Sequence, residues 1–296
     1  MTGPSKIKPL RGVRVASLAL NLPGPAALMR LRSWGAKCTK VEPPKPPGAS
    51  TSDPMGQYAR HAYDAMHQGV RVLAADLKSE KGQLALHREL ARTDVLVTSF
   101  RPSALTKLGL DWKTLQAHHP QLSLVTIVGA PGKRAEEPGH DLTYLAEAGL
   151  VPGLDLPATL FADMAGALMC SEAVLAAVLT ARTSGKGTRQ EIALSEAARW
   201  LALPRTWGLT QATGTVGGAH AGYRVYACKD GRVAFAALEP HFAAALCKLV
   251  GVPAANMEAL FALETRHAIE RWAATKTRGQ LDALAFKHDI PLFTLE

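Results

Sequence analysis

Apolar residues in the first 130 positions come in short dense runs separated by longer amphipathic stretches. VRVASLAL (13–20) is a near-continuous apolar run rich in strand formers. PGPAALMRLRSWGA (23–36), opened by Pro and closed by Gly35, has the spacing of a helix. CTKVE (38–42) predicts a second strand that runs out into the PPKPPG loop. VRVLAADL (70–77) predicts a third, with a helix over 79–92. DVLVTSF (94–100) predicts a fourth, with a short helix near 111–118, and LSLVTIVG (122–129) a fifth. Strands buried on both faces read as unbroken apolar runs, and their alternation with helices implies parallel crossovers. The pattern therefore predicts an α/β fold, a Rossmann-like parallel sheet with helices on both faces. Ligands of such sheets bind beyond the carboxyl ends of the strands.

Further along, LFADMAGALMCSEAVLAAVLTART (160–183) predicts a long, almost wholly apolar helix stopped by SGKG, and RQEIALSEA a strand entering a helix. After the Gly-rich GTVGGAHAG (214–222) the texture changes. YRVYACKDGRVAFAAL predicts a hairpin turning at Lys229-Asp230-Gly231, and helices follow through residue 285. The expected organisation is a large α/β domain over 1–199, a linker over 200–222 and a smaller α+β domain over 223–296. No internal repeat is evident.

Composition adds bounds rather than a function. Of 296 residues, 47% are hydrophobic and 20% charged, which excludes wholesale disorder. The formal net charge of +9 raises the question of nucleic acid, but the Lys and Arg are scattered rather than clustered among aromatics. Such a balance suits a small polyanionic ligand, or a merely solvated basic surface, at least as well as a duplex. Cys38, Cys170, Cys228 and Cys247 share no metal-type spacing and read as reduced thiols. The MTGPSKIKPL start has no apolar core, and no run of about 18 apolar residues stands out. The expectation is a cytoplasmic protein without a membrane partner.

Common chemical motifs are missing. No GxGxxG follows the first strand, SGKGTRQ follows a helix rather than a strand, and HExxH and GxSxG do not occur. His118-His119-Pro120 reads as a surface turn. His140, Asp141, Asp163 and Glu239 remain. Asp163 is the one charge between Leu156 and Cys170, in the first turns of an apolar helix. It serves there either as a helix cap or as a carboxylate held in a dry cleft for acid–base or nucleophilic work. Glu239 ends a strand before a Pro-initiated helix, where a cap is the simpler reading. The residues themselves give an α/β protein with a candidate acidic site and go no further.

PLRGVRVASLALNLPGPAALMRLRSWGAKCTKVEPP resembles the start of the family III CoA-transferases, which begin with PL-x-GVRV, an apolar strand, PGP or AGP, a helix, GA and KVEPP. AADLKSEKGQLAL resembles the family's ALDLK-x-x-x-G segment, and DVLVTSFRPSALTKLGLDWKTLQAHHPQLSLVTIVG its NFRPG, LGL and fifth-strand stretch. Within the family, transferases carry Tyr-Asp after PG and use an Asp at the head of the next long helix as a nucleophile. The α-methylacyl-CoA racemases instead read GHDINYL, ADFAGG and IEPQF. This chain reads GHDLTYL, ADMAGA and LEPHF, on the racemase side at all three.

The resemblance implies the family's fold, with an acyl-CoA thioester as substrate and neither metal nor nicotinamide cofactor. His140 and Asp163 would exchange the α-proton from opposite faces, and Glu239 would orient His140. Backbone N–H groups at the helix start near Asp163 would help hold the enolate oxygen. Arg71, Arg101, Lys107 and Asp141 are nominated for contact with CoA. Two other readings stay open, a CoA-transferase with Asp163 forming an acyl anhydride and a CoA-binding relative without catalysis. No nucleic acid is expected, and the implied partner is a second copy in an interlocked homodimer. The family's GD-x-x-R after KVEPP is replaced by ASTSDPMGQYAR, its GQ-x-GP loop by APGKRAEEP, and the chain is C-terminally short at HDIPLFTLE.

Overall fold

The computed structural model describes residues 7–253 and 258–296, in two compact units that divide between Ala202 and Leu203. The first contains β1 (Arg14–Ser17), α1 (Pro23–Ser33), β2 (Lys37–Glu42), α2 (Met55–Tyr58), α3 (Arg60–His67) and β3 (Arg71–Ala74). It continues through α4 (Glu80–Leu90), β4 (Val95–Thr98), α5 (Pro102–Lys107), α6 (Trp112–His118), β5 (Ser123–Val128), α7 (Asp141–Glu147), α8 (Phe161–Ser184), β6 (Arg189–Ala193) and α9 (Leu194–Leu201). The six strands form one fully parallel sheet in the order β3-β2-β1-β4-β5-β6, as the alternating pattern predicts.

Successive strand residues point to opposite faces, so each strand feeds two cores. Val15, Val95, Val97, Val125 and Ile127 pack against α1, α3, α7, α8 and α9. Ala16, Val41, Leu96 and Leu124 face α4, α5 and α6 through Leu86, Leu90, Leu105 and Leu115. Strand succession runs outward from β1 in one direction and from β4 in the other. The boundary between these two neighbours is the switch point, where crossovers to opposite sides open a crevice above the carboxyl ends.

β1 ends at Ser17, short of the apolar run to residue 20; Leu18, whose N–H still donates to the Val97 carbonyl at 2.8 Å, and Ala19 remain in the core. α2 and α3 fill a stretch where the hydrophobic pattern announces no helix. α8 is long and apolar enough to span a bilayer by length and composition, which the reading for runs of 18 apolar residues does not bring out. Here Ala162, Gly166, Ala167, Cys170, Ala173, Val174 and Ala177 form a small-residue face that lies within the core beside β5, β6, α1 and α9. It stops at Gly185 in the left-handed conformation (φ 68°), the cap predicted for SGKG.

The second unit runs from α10 (Leu203–Thr206), inside the segment expected as linker, through a 3-10 turn at Thr215–Gly217. β7 (Tyr223–Cys228) and β8 (Gly231–Ala236) form the predicted hairpin. Helices α11 (Pro240–Val250), α12 (Leu263–Ala274) and α13 (Arg278–His288) follow. β9 (Leu292–Leu295), which the sequence does not announce, adds antiparallel to β8.

Gly82 in the first turn of α4 tests how tightly the crossover is packed. Alanine is ordinarily favoured over glycine in a helix by about 1 kcal/mol. A Cβ here, however, would land on the main-chain carbonyl of Asp76. Gly82→Ala is therefore expected to destabilise the first unit by about 1–3 kcal/mol, the range for overpacking, read as a lowered denaturation midpoint.

Candidate active site

Several chain segments meet above the switch point. Leu20 and Asn21 follow β1, Ser99, Phe100 and Arg101 follow β4, Val128 ends β5 and Gly129 follows it. With Gly139, His140, Tyr144 and Asp163 they line a cavity of about 200 Å³. The fold itself delivers these residues, because they lie at or just beyond the carboxyl ends of parallel strands or near the heads of helices over the sheet.

His140 heads α7 in extended conformation. Thr143 Oγ accepts from its backbone N–H at 3.1 Å and donates to its carbonyl at 2.7 Å, fixing the main chain while the imidazole stays exposed. Gly139 is required for space rather than for an unusual φ, since a Cβ would lie 2.6 Å from Tyr144 Oη. Asp163 sits in the first turn of α8. Burial lifts its carboxyl from the ordinary 3.8 to about 6; the neighbouring charge of Asp141 adds to this and His140 opposes it. It is thus a carboxyl able to take up or release a proton near neutrality.

Asp141 has a different part from the one expected of a CoA contact. It is 4% exposed, and its Oδ1 accepts the backbone N–H of Asp163 at 2.9 Å, joining the heads of α7 and α8. That N–H is consequently occupied and is not the enolate donor anticipated at the helix start. Arg101 lines the cavity from the start of α5, and exposed Lys107 closes the same helix. Both lie close enough to Glu136 to favour its ionised form, after the larger effect of hydrogen bonds from Ser103. Arg71 does not join them. It begins β3, at the amino end of the sheet, where its guanidinium pairs with Glu89 at 3.1 Å. His118 and His119 also lie at that end, where His119 stacks on His87. Glu239 belongs to the second unit, at the head of α11, where its side chain makes no capping bond.

Spacing along the chain does not announce one buried ionic cluster. Lys40, in the middle of β2, has no exposed surface, and its ammonium is bound by Asp53, by Glu42 at 3.1 Å and by His67 Nε2 at 3.0 Å. Among the described residues, Glu42, Asp53 and His67 form the one group of metal-ligand type. The lysine ammonium stands where a cation would, so the cluster is complete as an all-protein ion site. His67 Nδ1–H donates to the Tyr63 carbonyl at 2.6 Å, leaving Nε2 to accept from Lys40. Burial and the lysine charge hold this imidazole neutral by lowering its pKa. Asp53 lies in the ASTSDPMGQYAR stretch that replaces the expected GD-x-x-R. The available signal was a lysine in a strand of a parallel sheet covered on both faces, where burial requires a partner.

Comparison with known proteins places these features. A model of CoA-transferase family III matches residues 10–295. Cinnamoyl-CoA:phenyllactate CoA-transferase of Clostridium sporogenes is 31% identical over 64% of this chain and 50% of its own length. Alpha-methylacyl-CoA racemase of Mus musculus is also 31% identical, over 82% of this chain and 65% of its own. Succinate–glutarate CoA-transferase of Agrobacterium fabrum is 33% identical over 64% and 52%. The chain thus spans about half to two thirds of the length of these relatives. In fold it is similar to the crystal structure of Rv3272 from M. tuberculosis, with a TM-score of 0.82 at 24% identity over 99% of this chain and 84% of that one.

The raised pKa of Asp163 has a stability consequence. Between the unfolded value of 3.8 and the folded value of about 6 the folded chain binds more protons, so stability falls as pH rises through this window. Asp163→Asn removes that cost. The variant is expected to melt above the parent at pH 7.5, by roughly 1–2 kcal/mol, and to converge with it towards pH 4. Thermal melts at the two pH values measure the difference.

Proposed function

This chain belongs to CoA-transferase family III, and from that premise we propose that it binds an acyl-CoA thioester and moves the proton on the carbon beside the thioester carbonyl, as an α-methylacyl-CoA racemase does. The observation that carries the reading is the sharing of one small cavity by two proton-transfer groups of different kinds, an imidazole and a carboxyl with a pKa of about 6. One of the pair takes the α-proton, and the C–H electrons pass into the thioester to give an enolate. The other returns a proton to the opposite face, and a second turnover restores both groups. Arg101 and Lys107, at the cavity and on its flanking helix, suit the phosphates of CoA. No metal or nicotinamide enters these steps. The reading carries with it a homodimer, checked by sedimentation of the full chain.

CoA transfer is the second reading, favoured by the relatives that bear that name. Asp163 would then attack the thioester as a carboxylate, forming an acyl anhydride and releasing CoA thiolate. A carboxyl pKa of about 6 leaves Asp163 mostly ionised at neutral pH and so suits either role; the imidazole of His140 in the same cavity, for which the anhydride route has no proton to move on the α-carbon, is what favours the first reading.

The two chemistries separate in heavy water. Incubation with 2-methylacyl-CoA is expected to introduce deuterium at the α-carbon without any second acid, and His140→Ala and Asp163→Ala are each expected to reduce that exchange by at least about 100-fold. Exchange of CoA that requires an acceptor acid and survives His140→Ala would instead establish the transferase.

A further inference from the structure

Asn21 is one of two non-glycine residues with positive φ among the described residues, at 66°. A left-handed asparagine carries a modest backbone cost and persists where its surroundings hold it. Here they hold it from two sides. Both carboxylate oxygens of Asp53 accept its backbone N–H, at 3.1 and 3.2 Å. Asp53 is itself fully buried, fixed by Lys40 and by the Met55 N–H at 2.9 Å. The side chain is fixed separately, since Tyr58 Oη donates to Asn21 Oδ1 at 2.6 Å. With its oxygen occupied, the carboxamide keeps two N–H donors on Nδ2 for which no described residue provides an acceptor. Asn21 lines the same cavity as His140 and Asp163. Asp163 also lies close enough to Tyr58 to help raise the phenol's pKa, behind burial and Asp53.

Both chemistries considered above place negative charge on the thioester oxygen, as an enolate or as a tetrahedral oxyanion. Such charge needs donors set in place beforehand. The Asp163 N–H is already given to Asp141. We propose that the Asn21 carboxamide is a catalytic hydrogen-bond donor to the thioester oxygen, with Asp53 positioning its backbone and Tyr58 orienting its amide. The inference rests on the cavity taking an acyl-CoA thioester but not on which of the two reactions follows. The buried charge cluster then has a use at the surface, because it holds a strained turn in the one conformation that presents the amide to the cavity.

Asn21→Gly is the decisive variant, because glycine adopts φ 66° at little cost and loses only the carboxamide. Its turnover, by whichever reaction the parent catalyses, is expected to fall at least about 100-fold with KM within about threefold, as for a lost oxyanion donor. Its melting temperature should stay close to the parent's. Tyr58→Phe should reduce turnover less, by about tenfold, since it frees the amide to rotate. A readout without turnover uses acetoacetyl-CoA, whose enolate is visible in the ultraviolet. The parent is expected to raise the enolate fraction of the bound ligand, and Asn21→Gly to return it to the solution value at equal occupancy. Retention of both turnover and enolate band in Asn21→Gly would overturn the role of Asn21 while leaving the proposed function intact. A parent that catalyses neither reaction and leaves acetoacetyl-CoA unperturbed would overturn the proposed function, and this inference with it.

Discussion

A lysine ammonium with no exposed surface lies inside the first unit, on the second strand of its sheet. Left alone, such a charge would cost several kcal/mol, so Lys40 obliges the chain to bring carboxylates to it. Glu42 comes from the same strand. Asp53 and His67 come from the crossover between β2 and β3, and Tyr63 adds its hydroxyl to Glu42 at 2.9 Å. A segment of weak hydrophobic pattern thereby acquires a fixed path over the sheet, and α2 and α3 form where local sequence does not demand them. The pairing also explains the close-set geometry there, where a Cβ on Gly56 would collide with Thr51, the residue whose Oγ1 donates to Glu42 at 2.7 Å.

The consequence reaches the cavity through Asp53. A carboxylate that neutralises Lys40 with one oxygen still accepts main-chain N–H groups, and the turn after β1 is held by those bonds. Another part of the cavity lining is built by the same device at smaller scale. Asp141, buried, ties the start of α8 to the start of α7 and so fixes Asp163 relative to His140. In both cases a buried acid spends its hydrogen-bonding capacity on backbone, and the residue so fixed faces the cavity. Asp141 adds an electrostatic effect, since its charge joins burial in keeping the Asp163 proton bound to higher pH.

The core and its polar cluster divide the work. Two apolar layers on the faces of the sheet make the first unit stable and set the positions of strand ends. They leave the direction of each loop open, because the residues just past a strand have no ladder to obey. Hydrogen bonds to buried carboxylates close that freedom at Asn21 and Asp163. Phe100 is set comparably by a 3.1 Å bond from its N–H to Thr98 Oγ1.

What the sequence determined was whatever depends on near neighbours along the chain. Apolar runs of strand formers alternating with helical spacing were enough for a parallel α/β sheet, since each run must be buried on both faces. SGKG specified its helix cap and Lys229-Asp230-Gly231 its hairpin. Family motifs pointed to His140 and Asp163, which share one cavity. Arg71 and Asp141 looked like ligands of the same kind, and only packing separated them, Arg71 to Glu89 at the far edge and Asp141 to a backbone N–H. Asn21, Asp53 and Lys40 have no common spacing, and each alone reads as an ordinary turn, cap or surface charge. Their roles are pairwise and long-range, fixed once the β2–β3 crossover folds back and burial removes water as the alternative partner. Tertiary structure decided those, because the free energy of a buried charge depends on what surrounds it in space.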